Sequence, residues 1–539
     1  MTFRKLALLN FILFLLLFFL NVRPWYFLML TIAQLVYIPL TLHLILKEEK
    51  KVWIKTYFPL ISIPAFLSVF VLQISGQTAW DGILVTVYFL FTIMVALYGM
   101  NRFVQRGFIS LEEFMIDIGL LYLAIGGAWS FAFEMNINTG FSPIITWLTS
   151  IHFHYSAFLL PIFVGWLGRI IKPTLYIWGG WSVILSPFIV AAGISFSPIL
   201  EVISVLIYIF AIYGLIFLAF KAPIKSRIQK LFIRFSFSTL GITIVFSLLY
   251  AFSNFSNQFI ITIDFMLRFH GIVNAILFAL IGIIGWSLHT PPILKAPLTF
   301  PVSMIRGRSI IGEGVLAGKL GSKKYKGLVD QLKSYEPDID VKKLSPSIVD
   351  FYENTKDYRL FTQVKWLPWF MPFAGGYRLI SKITKQINLP LTSREVEMTG
   401  DILSIDDKID GRNETRAWIR KIGEEVSFVA LYSSHKEDGY TYMNIALPLP
   451  WSSMIGILKL EQVGKDLCLT SKVPNTGIFL AVKNNILRLP LSEEFYVHEE
   501  EEGVLKATHK MWIFSVPFLT IDYNICKKDK CHGEITNFG

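Results

Sequence analysis

The chain has 539 residues, 54% of them hydrophobic and 15% aromatic, with 46 Phe and 14 Trp. This composition excludes both a disordered chain and an ordinary water-soluble one, and it suits lipid contact and interfacial anchoring. The net charge is +11, but residues 1–290 carry 17 Lys+Arg against 9 Asp+Glu, while the remainder carries 33 against 30. The excess therefore sits in the loops of an apolar region rather than on a basic face, which speaks against a nucleic-acid partner.

In chain order, the N-terminus resembles a signal peptide: Arg4 and Lys5 precede an apolar run from Leu6 to Leu20. No small-x-small cleavage site follows, so the run is expected to stay as a first helix. A helix needs about 20 apolar residues to cross the hydrocarbon core. Ten stretches meet or approach that length. They are Leu6–Val22, Trp25–Leu46, Tyr57–Ser75, Ala79–Met100, Glu113–Phe133, Pro143–Ile170, Thr174–Phe196, Ile199–Phe220, Leu231–Phe252 and Ile261–Leu288.

The cations alternate with the turns between these stretches. With Arg4 and Lys5 inside, the even-numbered turns carry Lys47, Lys50, Lys51 and Lys55; Arg102 and Arg106; Arg169 and Lys172; and Lys221, Lys225, Arg227 and Lys230. The odd-numbered turns carry only Arg23. The positive-inside rule then predicts that both termini are cytoplasmic.

Ionisable groups within the spans are costly and point to function. The sixth span reads His152-Phe-His154-Tyr-Ser-Ala-Phe-Leu-Leu-Pro161 and the tenth reads Arg268-Phe-His270-Gly-Ile-Val-Asn274. His270 and Asn274 share a helix face. His152 and His154, two apart, point away from each other and do not face one ion directly. Glu134 closes the fifth span and Glu201 opens the eighth. These seven residues, His152, His154, Arg268, His270, Asn274, Glu134 and Glu201, are the expected binding site. All fall in the outer half, and the inner half is expected to be poor in polar groups. An alternative is that each merely hydrogen-bonds a neighbouring helix, and Asp264 and Arg268 are spaced to pair with each other.

The segment His152–Pro161 together with His270-Gly-Ile-Val-Asn-Ala275, in a polytopic chain with a tail domain, resembles the YndJ-like membrane proteins of Bacillus and its relatives. The resemblance covers most of the membrane half. It implies a plasma-membrane protein of a Gram-positive bacterium, with a general transporter label and no catalytic residues.

Beyond Pro292 the pattern changes. Residues 291–345 read as a glycine-containing basic connector, in which Gly314-Val-Leu-Ala-Gly-Lys-Leu320 lacks the residues a phosphate loop needs. From Pro346 to about Pro390 the sequence is partly helical. It is interrupted by Trp366-Leu-Pro-Trp369-Phe370-Met-Pro-Phe373, which reads either as a core-packing loop or as a membrane-surface contact beside Lys365 and Arg378. After Leu391 short alternating strands run from Thr415 to Cys526, separated by polar turns such as the acidic His498–Gly503. The three cysteines are Cys468, Cys526 and Cys531. So few argue against a disulfide framework and for a reducing compartment. Cys526-Lys-Lys-Asp-Lys-Cys531-His532 resembles half a zinc site with no second ligand pair.

The predicted fold is an all-α polytopic membrane bundle of about ten transmembrane helices (residues 1–290), a connector (291–345) and a cytoplasmic α+β domain (346–539). That last domain is dominated by an antiparallel, barrel-like β-sheet. The expected function is transport or sensing of a small solute through the polar pocket, with the β-domain regulating it or binding an apolar ligand. No cofactor and no catalytic residue is expected, and the expected partners are the lipid bilayer and a small solute or lipid. A membrane-embedded metal or haem redox protein, and a non-catalytic signalling or scaffold protein, stay open as alternatives.

Overall fold

The structure is a computed structural model that describes all residues except 1–2, 21, 48–52, 76–77, 109, 257, 259–260, 294–299, 484 and 532–539. Its contacts divide the chain into two compact units, residues 1–103 with 109–296 and residues 104–108 with 297–539.

The first unit is helical. Its helices are α1 (Phe3–Leu20), α2 (Phe27–Lys47), α3 (Trp53–Ile74), α4 (Asp81–Arg106), α5 (Leu111–Glu134), α6 (Pro143–Gly168), α7 (Thr174–Phe196), α8 (Pro198–Lys221), α9 (Arg227–Ser256) and α10 (Ile263–Leu288). Among the described residues, eight of them, α2 and α4 to α10, are long and apolar enough to cross a membrane. In α1 and α3 the described apolar stretches, Leu8–Leu20 and Leu60–Ile74, are shorter. Of the expected ten spans, eight thus stand as helices of membrane length, and the other two, α1 and α3, are apolar helices whose described apolar stretches are shorter. Of the basic residues behind the predicted alternation, the side chains of Arg4, Lys5, Lys50, Lys51, Lys55 and Arg106 lie outside the described residues.

Three helices contain π-helical turns: α2 at Ala33–Tyr37, α6 at Tyr155–Leu159, and α10 at Met266–Ile272 and Asn274–Leu280. A wider turn disturbs the regular carbonyl acceptors, and such turns are frequent at functional sites. Here two tyrosines of the widened turns donate to carbonyls of neighbouring helices. Tyr37 donates to Ala275 O (2.8 Å) and Tyr155 donates to Met29 O (2.7 Å), tying α2, α6 and α10 together.

The second unit holds twelve strands: β1 (Tyr358–Trp366), β2 (Glu395–Ser404), β3 (Arg416–Ile422), β4 (Glu425–Glu437), β5 (Tyr440–Leu449), β6 (Ser452–Val463), β7 (Asp466–Thr470), β8 (Gly477–Val482), β9 (Asn485–Arg488), β10 (Leu491–Glu501), β11 (Val504–Ile513) and β12 (Val516–Lys527). The order is β5-β4-β3-β2-β1-β12-β11-β10-β7-β6, and β6 pairs back onto β5. Ten strands therefore close into an antiparallel barrel, and β8 and β9 extend from β6. The barrel-like expectation holds. Three strands were not expected. β1 lies inside the stretch read as partly helical, β2 was not singled out, and acidic β10 runs into the stretch read as a turn.

The wall formed by β3 and β4 is buried on both faces. Trp418, Phe428, Ala430 and Tyr432 point into the barrel core. Ala417, Ile419, Val429 and Leu431 meet a second core built with Phe300, Ile305, Ile311 and Val315. This two-sided burial explains why β4 reads as a continuous apolar run rather than an alternating one. Residues Tyr325 to Leu344 and helix α11 (Pro346–Glu353) add Leu332, Tyr335, Ile348 and Phe351 to the barrel core.

Cys526 and Cys531 form a disulfide, and Cys468 is free. The expectation of an all-reduced tail, or of half a zinc site, is corrected. After β12 the chain folds back in a tight turn, with Cys531 N donating to Lys527 O (3.0 Å). That turn brings the two Cα atoms to 5.5 Å, within the range a disulfide spans. His532 lies outside the described residues.

Candidate functional site

At the end of the bundle where α5 gives way to α6, helices α2 to α6 leave a narrow cleft whose free space is ≈ 10 Å³, room for about one water molecule. Its polar lining is Gln34, Gln73, Tyr88, Ser130 and Glu134, set among Phe27, Leu30 and Trp147. Glu134 accepts from Arg23 at 3.0 and 3.5 Å, and Arg23 also stacks over Phe27. The Trp147 indole Nε1 is buried and has no hydrogen-bond partner. An unsatisfied buried donor is costly, so it marks a place where a polar guest is favoured.

His154 stands one bond behind this cleft. It is fully buried against Gly126, where a Cβ would come within 2.9 Å of its Nδ1. Nδ1 meets Ser150 O at 2.8 Å and Nε2 meets the Tyr88 hydroxyl at 2.7 Å. A carbonyl only accepts, so Nδ1 carries a proton, and Nε2 and the Tyr88 hydroxyl share a hydrogen bond. His152 points the other way, as its two-residue offset requires, and lies with its ring 6.5 Å from that of His270. His270 Nδ1 meets Thr243 O at 3.0 Å, and Asn274 accepts from Thr243 Oγ1 at 2.8 Å. Arg268 is exposed and paired with Asp264 at 2.9 Å, and Glu201 accepts from Asn254 at 3.3 Å. Of the seven expected residues, the structure thus brings Glu134 to the cleft and His154 to its wall. Of the other five, His152 and His270 lie ring to ring and His270 and Asn274 share Thr243, while Arg268 and Glu201 stand apart.

The opposite end of the bundle holds charges that sequence reasoning missed. Arg102 Nε meets Asp117 Oδ1 at 2.6 Å, and its Nη2 meets Glu113 Oε2 at 2.9 Å. Arg169 clasps Glu113 with two bonds of 2.6 and 2.9 Å and donates to Pro291 O at 2.8 Å. Lys172 reaches Glu112 at 2.5 Å. All but Lys172 are buried. The expectation that this half, read from the cations as the inner one, is poor in polar groups is therefore corrected. Helix position explains the arrangement. Glu112 and Glu113 open α5 at its positive end, while Arg102 and Arg169 stand near the negative ends of α4 and α6. Gly165 of α6 lets α5 approach, since a Cβ there would stand 2.6 Å from Glu112 O. The available signal was acidic: Glu112, Glu113 and Asp117 open an otherwise apolar span, which a topology signal built from cations does not require. Among the described residues no three His, Cys, Asp or Glu side chains come together to hold a metal ion.

Membrane-length helices with a buried ion network at one end and a polar cleft at the other, followed by a closed β-barrel unit, define a multi-pass membrane protein. The YndJ-like protein family matches residues 28–278, which takes in α2 to most of α10. The uncharacterized membrane protein YndJ of Bacillus subtilis (strain 168) is 40% identical over 451 residues, covering 81% of this chain and 83% of that protein. The chain belongs to the YndJ-like family, as the resemblance in His152–Pro161 and His270–Ala275 implied. The aligned length exceeds the helical unit, so the likeness runs on into the β unit. No solved structure matches the chain.

Proposed function

We propose that this protein binds a small polar solute in the α2–α6 cleft and transports or senses it across the plasma membrane. Glu134, Gln34 and Tyr88 would orient the solute, and the Trp147 indole would donate to it. The observation that carries this reading is the separation of two features along the same helices. The cleft residue Ser130 and the ion-network residue Asp117 lie on α5 about 20 Å apart at 1.5 Å per residue. A bundle with a polar cleft at one end, widened when solute enters, and ion pairs closing the other is the arrangement that alternating access needs at one stage of its cycle. On this reading α1 and α3 complete ten spans, the alternation of cations puts the cleft outside and the β unit in the cytoplasm, where reductants would open the Cys526–Cys531 disulfide, and the β unit regulates the bundle.

A thermal-shift and uptake screen of amino acids, sugars and inorganic ions on the reconstituted full chain tests the reading. At least one solute is expected to stabilise the wild type, with the shift lost in Trp147→Phe and Glu134→Gln and kept in Arg268→Ala. The proposal fails if no solute shifts the wild type, or if the cleft variants respond as the wild type does.

A further inference from the structure

A helix on the surface of a folded domain ordinarily turns its apolar face inward. Helix α12 (Met371–Thr384) of the β unit does the reverse. Its packed side is small and polar. Ala374 and Ser381 are buried, and Arg378 bonds Asn388 Oδ1 (2.5 Å) and Leu389 O (2.7 Å). Its outward side is large and apolar, with Phe373 64%, Leu379 70%, Ile380 56% and Ile383 67% exposed. At 100° per residue these four fall on one continuous arc away from Ala374 and Ser381. The patch continues beyond the helix, because Trp369 donates its indole N–H to Pro517 O (2.9 Å) and stands beside exposed Val516.

We propose that α12 lies in the surface of an anionic bilayer as an in-plane anchor of the β unit. Three observations select lipid as the occupant. The apolar arc is edged on one side by exposed Lys382, a placement that meets acidic headgroups while the aliphatic face enters the acyl boundary. The apolar arc begins beside Trp369 and includes Tyr377, the residue types enriched at the water–lipid boundary. Only twelve positions of sequence separate Leu288, the end of the last membrane-length helix, from Phe300 in the second unit's core, at most about 40 Å of chain. This inference is independent of the solute cleft.

The test uses the full chain in nanodiscs of phosphatidylglycerol and phosphatidylcholine, with the photoreactive residue p-benzoylphenylalanine placed at Ile380, at Ile383 or, as a control, at Lys382. After irradiation, lipid adducts are expected on the 371–384 peptide at 380 and 383. The yield should fall on the order of tenfold in pure phosphatidylcholine or at the control position. Ile380→Glu, a change at an exposed site that leaves the barrel core untouched, should abolish the adduct at 383. Adducts to a second copy, adducts to the chain's own helices, or no lipid adduct at 380 and 383 would each overturn the proposal.

Discussion

A guanidinium inside a membrane bundle is tolerated only where carboxylates meet it. Glu113 serves two of them at once, Arg102 and Arg169, and Asp117 holds Arg102 from its other side. Removing the shared carboxylate takes the carboxylate partner from Arg169 and one of two from Arg102. Glu113→Gln is expected to cost about 3 kcal/mol in detergent unfolding. Glu113→Gln combined with Arg169→Met should cost clearly less than the sum of the two single changes, and strict additivity would show that the residues do not act as one network. In the β unit, His435 sits between the rings of Phe300 and Tyr442, and neither ring nitrogen has a hydrogen-bond partner. Burial, with the nearby Arg412 charge, lowers its pKa to about 4. The unfolded chain binds this proton near pH 6.5 and the folded one does not. The fold is therefore fully stabilised above 6.5 and loses stability as the pH falls from 6.5 to about 4. Pulse proteolysis of the β unit should show a loss of about 2 kcal/mol across that window, largely absent in His435→Phe.

At the scale of elements, the close approach of α5 and α6 sets the network. Gly165→Leu would drive a side chain into Glu112 O and Ile116. It is expected to destabilise the bundle by about 3 kcal/mol, read as a fall in the detergent melting temperature. The helices themselves were legible because a long apolar run has few other uses, and their boundaries follow from Pro and polar turns. The network was not, because Arg102 and Arg169 look in sequence like loop charges near helix ends. Only the packing of α4, α5 and α6 shows that both reach Glu113. The strands divide the same way. β4 and β5 announce themselves by composition, whereas β10, Leu491-Ser-Glu-Glu-Phe-Tyr-Val-His-Glu-Glu-Glu501, carries consecutive acidic residues on both faces, and its end from His498 reads as a turn. β1 alternates cleanly between buried and less buried positions, but it is flanked by the two helices α11 and α12, whose patterns dominate its neighbourhood. The cleft was half legible. Glu134 and His154 stood out as ionisable groups in apolar spans, whereas Gln34, Gln73 and Trp147 became informative only once five helices had met.

At the scale of the whole molecule, the barrel is closed by its first and last strands, with Tyr358 opposite Lys527 and Trp366 opposite Leu519. Deleting Val516–Lys527 is expected to leave the helical unit membrane-inserted while the β unit becomes protease-sensitive throughout. Limited proteolysis of membranes would check this, and a β unit as resistant as the wild type would contradict the pairing. The same pairing fixes an order of events during synthesis. The ribosome delivers β1 early and its partner β12 only after all the intervening strands, a delay of roughly ten to thirty seconds at common elongation rates. For that interval β1 has an open edge while the helical unit has already been made. The nascent β domain is thus most open to mispairing and proteases just before translation completes it.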